Sequence, residues 1–356
     1  MNCLNLDLLE IILARLPIKS IATCSLVCKE WKSIVESEFL RELFLSHHKN
    51  SPSSWSLMCT ESKKEVLAHY GCENWGLSRS LGSYISSFLT DKFENHKDHL
   101  KYNTIRVVAH TDVGLILICL KSHSLRRTYY VANPISRQCV EIPRPPPPPP
   151  ATRLRIFRPV HSGLVTKVEN GVVIDWLVGL HNPVNLNGSL YWLGNKQCNP
   201  AIQVVVSHDF YAESDLCQVL DFPDLDNKAD FRRRPCTSSQ GFLMYMNISL
   251  EHKLSIWMRL ESEEWKLVAQ ISPKAAFDYI PLAINPFDSN TVYVQRKIHP
   301  CLASANLHNG KFGDHSSDIG TLTFAGEWDS AVKYCNEAYP TFALPRWLYR
   351  IPSPLS

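Results

Sequence analysis

Residues 6–31 read LDLLEIILARLPIKSIATCSLVCKEW, and this stretch separates a helical beginning from a chain that is otherwise built of short strands. Asp7 and Glu10 have the D-x-x-E spacing of a capping box, the apolar residues continue to Leu16, and Pro17 stops the helix, so the spacing predicts a first helix over 6–16. Ile18–Thr23 predicts a short second helix, and Val27, Cys28, Trp31, Ile34 and Val35 recur at the spacing of a third. Phe39–Leu45 adds a fourth. Residues 46–54, with Pro52 and four serines, have the composition of a linker.

The first helix carries Leu6, Leu8, Leu9, Ile11, Ile12, Leu13 and Leu16, a wider apolar coat than the stripe a surface helix needs. So small a helical unit has little interior in which to hide two faces of each helix. Either the remainder of the chain or a separate partner must cover what is left. Leu13, Ile34 and Val35 are assigned to the unit's own interior, with Trp31 packing inward and showing one edge.

Past residue 54 the signals are those of strands. Val184–Leu193 is a hairpin in which Asn187-Gly188 supplies the positive φ angles of a tight turn. Ile105–Ala109 turns through Thr111 and Asp112 into 114–120. Strands at 241–246, 254–258 and 265–271 follow, and 280–284 turns through Asn285-Pro286-Phe287-Asp288 into 292–295. Strand units recur at Val131, Val205, Ile256 and Ala305, the last two steps each being roughly the 50 residues of a kelch-type blade. A propeller closes on itself and hides the edges of many short strands. A β-sandwich is the competing architecture, because the first step is longer and Arg155–Leu180 does not divide into a blade. Arg144 followed by Pro145–Pro150 predicts an extended polyproline segment, either a stiff loop between blades or a ligand for an aromatic groove of the SH3 or profilin kind.

The chain has 356 residues, 45% of them apolar, a formal charge of +3 and twelve cysteines. No apolar run approaches the roughly 20 residues of a membrane span, and Asp7 and Glu10 interrupt any signal-peptide core, so the expectation is a protein of the cytoplasm or nucleus, without membrane partners. The mild charge gives no reason to expect nucleic acid; Arg232-Arg233-Arg234 is the one tight basic cluster, a solvated loop or a patch for an acidic partner. No C-x-x-C pair occurs, and the cysteines are expected to be reduced and structural. His96 and His99 form H-x-x-H beside Lys97 and Asp98 without further ligands, so no metal or cofactor is expected there. G-x-S-x-G, H-E-x-x-H and G-x-x-x-x-G-K-[ST] are all missing, and no enzyme is expected. An oxidase on a propeller scaffold, which would bind copper, is the enzymatic alternative. Asn187-Gly188-Ser189 and Asn247-Ile248-Ser249 fit the glycosylation sequon, which an intracellular chain would not use.

With Leu16-Pro17 followed by Val27-Cys28-Lys29-Glu30-Trp31, residues 1–45 resemble the F-box, although Asn5 stands where many such modules carry proline. Residues 55–350 resemble the kelch-like F-box-associated domain of plant F-box proteins. The carriers are Gly114-Leu115-Ile116-Leu117, Tyr130-Val131-Ala132-Asn133-Pro134, Val140-Glu141-Ile142-Pro143, Gly188-Ser189-Leu190-Tyr191-Trp192 and Leu254-Ser255-Ile256-Trp257. Segments 281–287 and 344–347 extend the likeness towards the C-terminus; no Gly-Gly pair of the kelch kind occurs. The resemblance implies an α+β multidomain chain, a small all-α F-box followed by an all-β kelch-like propeller. It also implies a substrate receptor of a Skp–cullin–F-box ubiquitin ligase, linked through a Skp-family adaptor to cullin and RING subunits and holding a protein target on the propeller. A scaffold or sequestering role outside a ligase is the alternative. The adaptor surface it implies comprises Leu6, Leu8, Leu9, Ile12, Leu16, Pro17, Leu26, Val27, Cys28 and Trp31.

Overall fold

A computed structural model describes residues 6–49, 54–58, 65–69, 75–94, 102–124, 126–143, 164–169, 172–178, 183–195, 203–209, 211–212, 217–224, 235–249, 253–272, 279–296, 302–314, 322–323, 341–347 and 349. The polyproline run, His96, His99 and Arg232–Arg234 lie outside the described residues.

Four helices open the chain: α1 (Leu6–Leu13), α2 (Ile18–Cys24), α3 (Lys29–Val35) and α4 (Glu38–His47). The first stops at Leu13 and not at Leu16. Ala14 N still bonds Glu10 O, but Arg15 and Leu16 donate to Ile12 and Leu13, tightening the last turn before Pro17, which disfavours helical geometry in the residue ahead of it. Asp7 lies in the first turn of α1 and not at its cap. Cys28 is the N-cap of α3, its Sγ accepting from Trp31 N at 3.5 Å, so the sulfur stands where Ser or Asp usually does. Ser37 caps α4, its Oγ accepting from Leu40 N at 3.1 Å. Ser37→Ala is expected to cost about 1 kcal/mol, read as a lowered urea midpoint.

Among the described residues the strands form five four-stranded antiparallel sheets and one hairpin, the blades of a β-propeller. The first blade is β3–β6, from Tyr102–His110 through Ile116–Ser122 and Arg127–Asn133 to Gln138–Ile142. The hairpin β7–β8 (Leu164–Glu169, Val172–Val178) comes next in the chain and accounts for the long first step of the repeat. The second blade is β9–β12 (from Val184–Leu186 to Gln218–Leu220), the third β13–β16 (Cys236–Ser239, Phe242–Ile248, Leu254–Arg259 and Trp265–Ile271) and the fourth β17–β20 (from Tyr279–Asn285 to Lys311–Asp314). Asn187 and Gly188 have φ of 50° and 81°, and Gln240 and Gly241 of 51° and 82°, the left-handed pairs that close two-residue hairpins.

The fifth blade takes strands from both ends of the described chain: β1 (Trp55–Met58) and β2 (Glu65–His69) lie between β21 (Leu322–Thr323) and β22 (Thr341–Ala343). Neighbouring blades share cores. Trp55, Leu57 and Leu67 of the fifth pack on Leu282, Tyr293 and Leu302 of the fourth, and β13 and β14 of the third touch β9 on one side and β17 on the other. A radial array of this kind replaces the sandwich alternative.

The seam between first and fifth blades contains His110, whose Nε2 donates to Ala343 O at 3.3 Å beside the Phe342 ring. Burial holds this imidazole down at about 4 against an ordinary 6.5. The unfolded chain takes up the proton near 6.5, so the neutral ring's contribution is complete above that pH and is lost as the pH falls towards 4. His110→Gln should flatten that part of the stability profile in urea titrations between pH 7 and 4, by no more than about 3 kcal/mol.

A further helix, α5 (Leu81–Leu89), runs on into a π turn at Thr90–Glu94 and joins the two parts of the molecule. Leu13, Ile18, Ile21, Leu40 and Phe44 of the first four helices belong to the same core as Ile85 and Phe88 of α5, Ile116 of the first blade, and Phe342 and Trp347. The propeller therefore covers one side of the helical unit.

Candidate docking surface

Among the described residues nothing covers the other side of the helical unit. On α1, Leu8, Ile11 and Ile12 follow one another at i, i+3 and i+4 and are all exposed, while Leu9 and Leu13 occupy the opposite stripe and are buried. Leu6 is 60% exposed at the start of the helix. The turn between α2 and α3 adds Leu26 and Val27, 83% and 63% exposed, and α4 adds Phe39 at 58%. Val27 N donates to Cys24 O and Leu26 N to Thr23 O, so the turn that displays these two side chains is itself hydrogen-bonded.

Of the ten residues named for adaptor contact, Leu6, Leu8, Ile12, Leu26, Val27 and Cys28 are exposed. Leu16 and Trp31 are half-buried and pack on the shared core, and Pro17 is half-buried with its Cβ against Gly76. Leu9 leaves the set: at 7% exposure it is an interior residue one helical turn before Leu13. Leu13, Ile34 and Val35 are buried, as the unit's interior requires. Ile11 and Phe39 are additions. Helical spacing alone does not separate Ile11 from Leu9, since each stands about 80° from the middle of a face containing Leu8 and Ile12; the burial of Leu9 against the shared core decides between them. Phe39 declares itself only once Ser37 is seen to cap α4, which puts it in the first turn of that helix.

The chemistry available here is burial of apolar area against a partner. Among the described residues no three His, Cys, Asp or Glu side chains come together in a way that could hold a metal ion. Elsewhere, burial pushes the Cys236 thiol up to about 12 and the Cys139 thiol to about 11, which keeps both neutral and unreactive at ordinary pH.

A helical unit with an exposed apolar face, seated on a propeller, fits a recognition protein of the F-box class. The chain belongs to the F-box family with an At3g26010-like β-propeller: the F-box domain profile matches residues 1–43, and the profile described as "F-box protein At3g26010-like, beta-propeller" matches residues 53–179 and 176–353. Similar proteins from Arabidopsis thaliana include F-box protein At3g28330, 45% identical over 99% of this chain and 97% of its own length, and putative F-box protein At3g28280, 38% identical over 77% of this chain and 99% of its own. Putative F-box/kelch-repeat protein At1g15680 is 31% identical over 97% of this chain and 94% of its own length.

Proposed function

We propose that the chain is the substrate-recognition subunit of a Skp–cullin–F-box ubiquitin ligase in the cytoplasm or nucleus. A Skp-family adaptor docks on Leu6, Leu8, Ile11, Ile12, Leu26, Val27 and Phe39 and brings cullin and RING subunits with it, while the propeller holds a protein target. In this reading the chain itself supplies no catalytic group, and transfer of ubiquitin belongs to the recruited enzymes. The carrying observation is that the helical unit keeps these large apolar side chains in water although it possesses a complete core with the propeller on its other side. Isolated exposed leucines are ordinary on protein surfaces, whereas seven large apolar side chains exposed on one small unit point to an interaction site.

The test is co-purification of the full chain with adaptor and cullin, together with the half-life of whatever protein the propeller captures, for wild type and for a chain substituted at Leu26 and Val27. Loss of adaptor and lengthened target half-life in the variant support the ligase. An unchanged half-life with the adaptor lost leaves a scaffold or sequestering protein. Deleting the helices is the wrong control, because Leu40 and Phe44 are part of the core that also contains Phe342 and Trp347.

A further inference from the structure

The described residues between 341 and 349 touch three parts of the molecule. Thr341–Ala343 runs along β1, where Trp55 pairs with Ala343 and Leu57 with Thr341, so it completes the fifth blade. Leu344 N then donates to Ser54 O at 2.9 Å. Pro345 is buried against the first blade at Gly114, where a Cβ would come within 2.8 Å of Pro345 Cδ. Its carbonyl accepts from Trp75 Nε1 at 2.8 Å, and Trp75 is buried in the core shared with α1 and α4. Trp347 meets Phe44 of α4 edge-on, with centroids 5.1 Å apart, and Tyr349 O accepts from Asn133 Nδ2 of the first blade at 3.5 Å. Helix α4 is fastened in turn to the end of α1, since His48 Nε2 donates to Ala14 O at 3.1 Å.

We propose that residues 341–347, with Tyr349, form a strap that closes the propeller and at the same time fixes the helical unit on it, so that the docking surface and the blades move as one rigid body. A chain whose two parts were joined only by the connection between α4 and β1 would let the helices swing. Here swinging would pull Phe44 off Trp347 and strip Trp75 of its acceptor, and both tryptophans would be drawn out of a buried seam. Ring closure and orientation are coupled by construction, because the backbone that zips onto β1 continues without interruption into the residues that hold α4. Taken with the proposed ligase role, on which only this consequence rests, a target on the propeller is presented at a set distance from the adaptor.

Hydrogen exchange followed by mass spectrometry on the full chain tests the strap. In the wild type, amides of α4 should be protected to the same order as those of β14 and β15. Trp347→Ala should raise exchange in α4 and β22 by at least about tenfold, leaving β14 and β15 unchanged, because local opening then no longer carries the cost of the seam. Trp75→Phe, which keeps a ring in place and removes only the donor to Pro345, should produce a smaller rise in the same peptides. Rapid exchange of α4 in the wild type overturns the proposal. So does a rise in β14 and β15 equal to that in α4, which would make Trp347 a general stability contact. Adaptor capture scored on the same proteins separates the two readings: a wild type that captures none sinks the ligase role, and the exchange pattern still judges the strap.

Discussion

Leu26→Asp combined with Val27→Asp should abolish capture of a Skp-family adaptor while leaving the fold as stable as before. Both side chains stand in water, 83% and 63% exposed, in a turn closed by backbone bonds that neither side chain makes. Substitutions at such positions change stability by about 0.5 kcal/mol or less. In a complex the balance differs. Burying a leucine and a valine contributes about 1.5–3 kcal/mol each, and the two new carboxylates would be desolvated without partners. The loss is then at least about 3 kcal/mol, a hundredfold or more in affinity. Calorimetric titration with purified adaptor measures the affinity, and urea denaturation of the same variant guards against a folding artefact. Binding within a few-fold of wild type would show that the adaptor, if it binds at all, uses another face. Leu16→Asp with Trp31→Ala is a poorer probe of the same surface, since both residues pack on the shared core and their loss would unsettle the module along with the contact.

The parts of this molecule that were legible in its sequence are those whose causes are local. Asn187-Gly188 announces a hairpin because few other pairs accept φ of 50° and 81°, and the strands on either side follow at once. The segment 265–271 is β16 to the residue. The fifth blade is the opposite case. Its strand β1 is four residues long and buried at every position, so it shows no alternation, and its partner β22 lies near the other end of the chain. Nothing near residue 55 points to Ala343. On the docking surface, Leu16-Pro17 and Val27–Trp31 identify the module, but a short helix with six large apolar residues does not declare which stripe faces inward. Only packing against α4 and the first blade decides that Leu9 turns in and Ile11 turns out.

Helix α5 was hidden by its own composition, and one of its residues leads to a large stability effect of unexpected sign. Leu81, Ile85, Phe88 and Leu89 sit at i, i+4, i+7 and i+8, a regular apolar stripe, yet Gly82 and three serines make the segment look like a loop. Gly82 in a helix ordinarily costs about 1 kcal/mol relative to alanine, so Gly82→Ala would normally stabilise. Here the sign is reversed. Gly82 N donates to Glu65 Oε1 at 3.0 Å and to Ser56 Oγ at 3.1 Å, Ser56 Oγ donates to Glu65 Oε1, and Ser80 Oγ, the cap of α5, donates to Glu65 Oε2 at 2.5 Å. The buried carboxylate of the fifth blade thus takes up the free amide end of the helix, where negative charge is also favoured. An alanine Cβ would run into the Glu65 carboxylate and lie 2.6 Å from Met58 Sδ; the thioether is the flexible end of its side chain, but the carboxylate is held by Ser56, Ser80 and Gly82. The carboxylate must then move and forfeit its donors, and a buried charge stripped of partners costs about 3–5 kcal/mol. Gly82→Ala should therefore lower stability by roughly 3 kcal/mol net of the helix-propensity gain, read from urea denaturation at pH 7. Gly82→Ala combined with Glu65→Ala, which removes the obstructing side chain, should cost less than the sum of the two single substitutions, and strict additivity would show that the collision is not the cause.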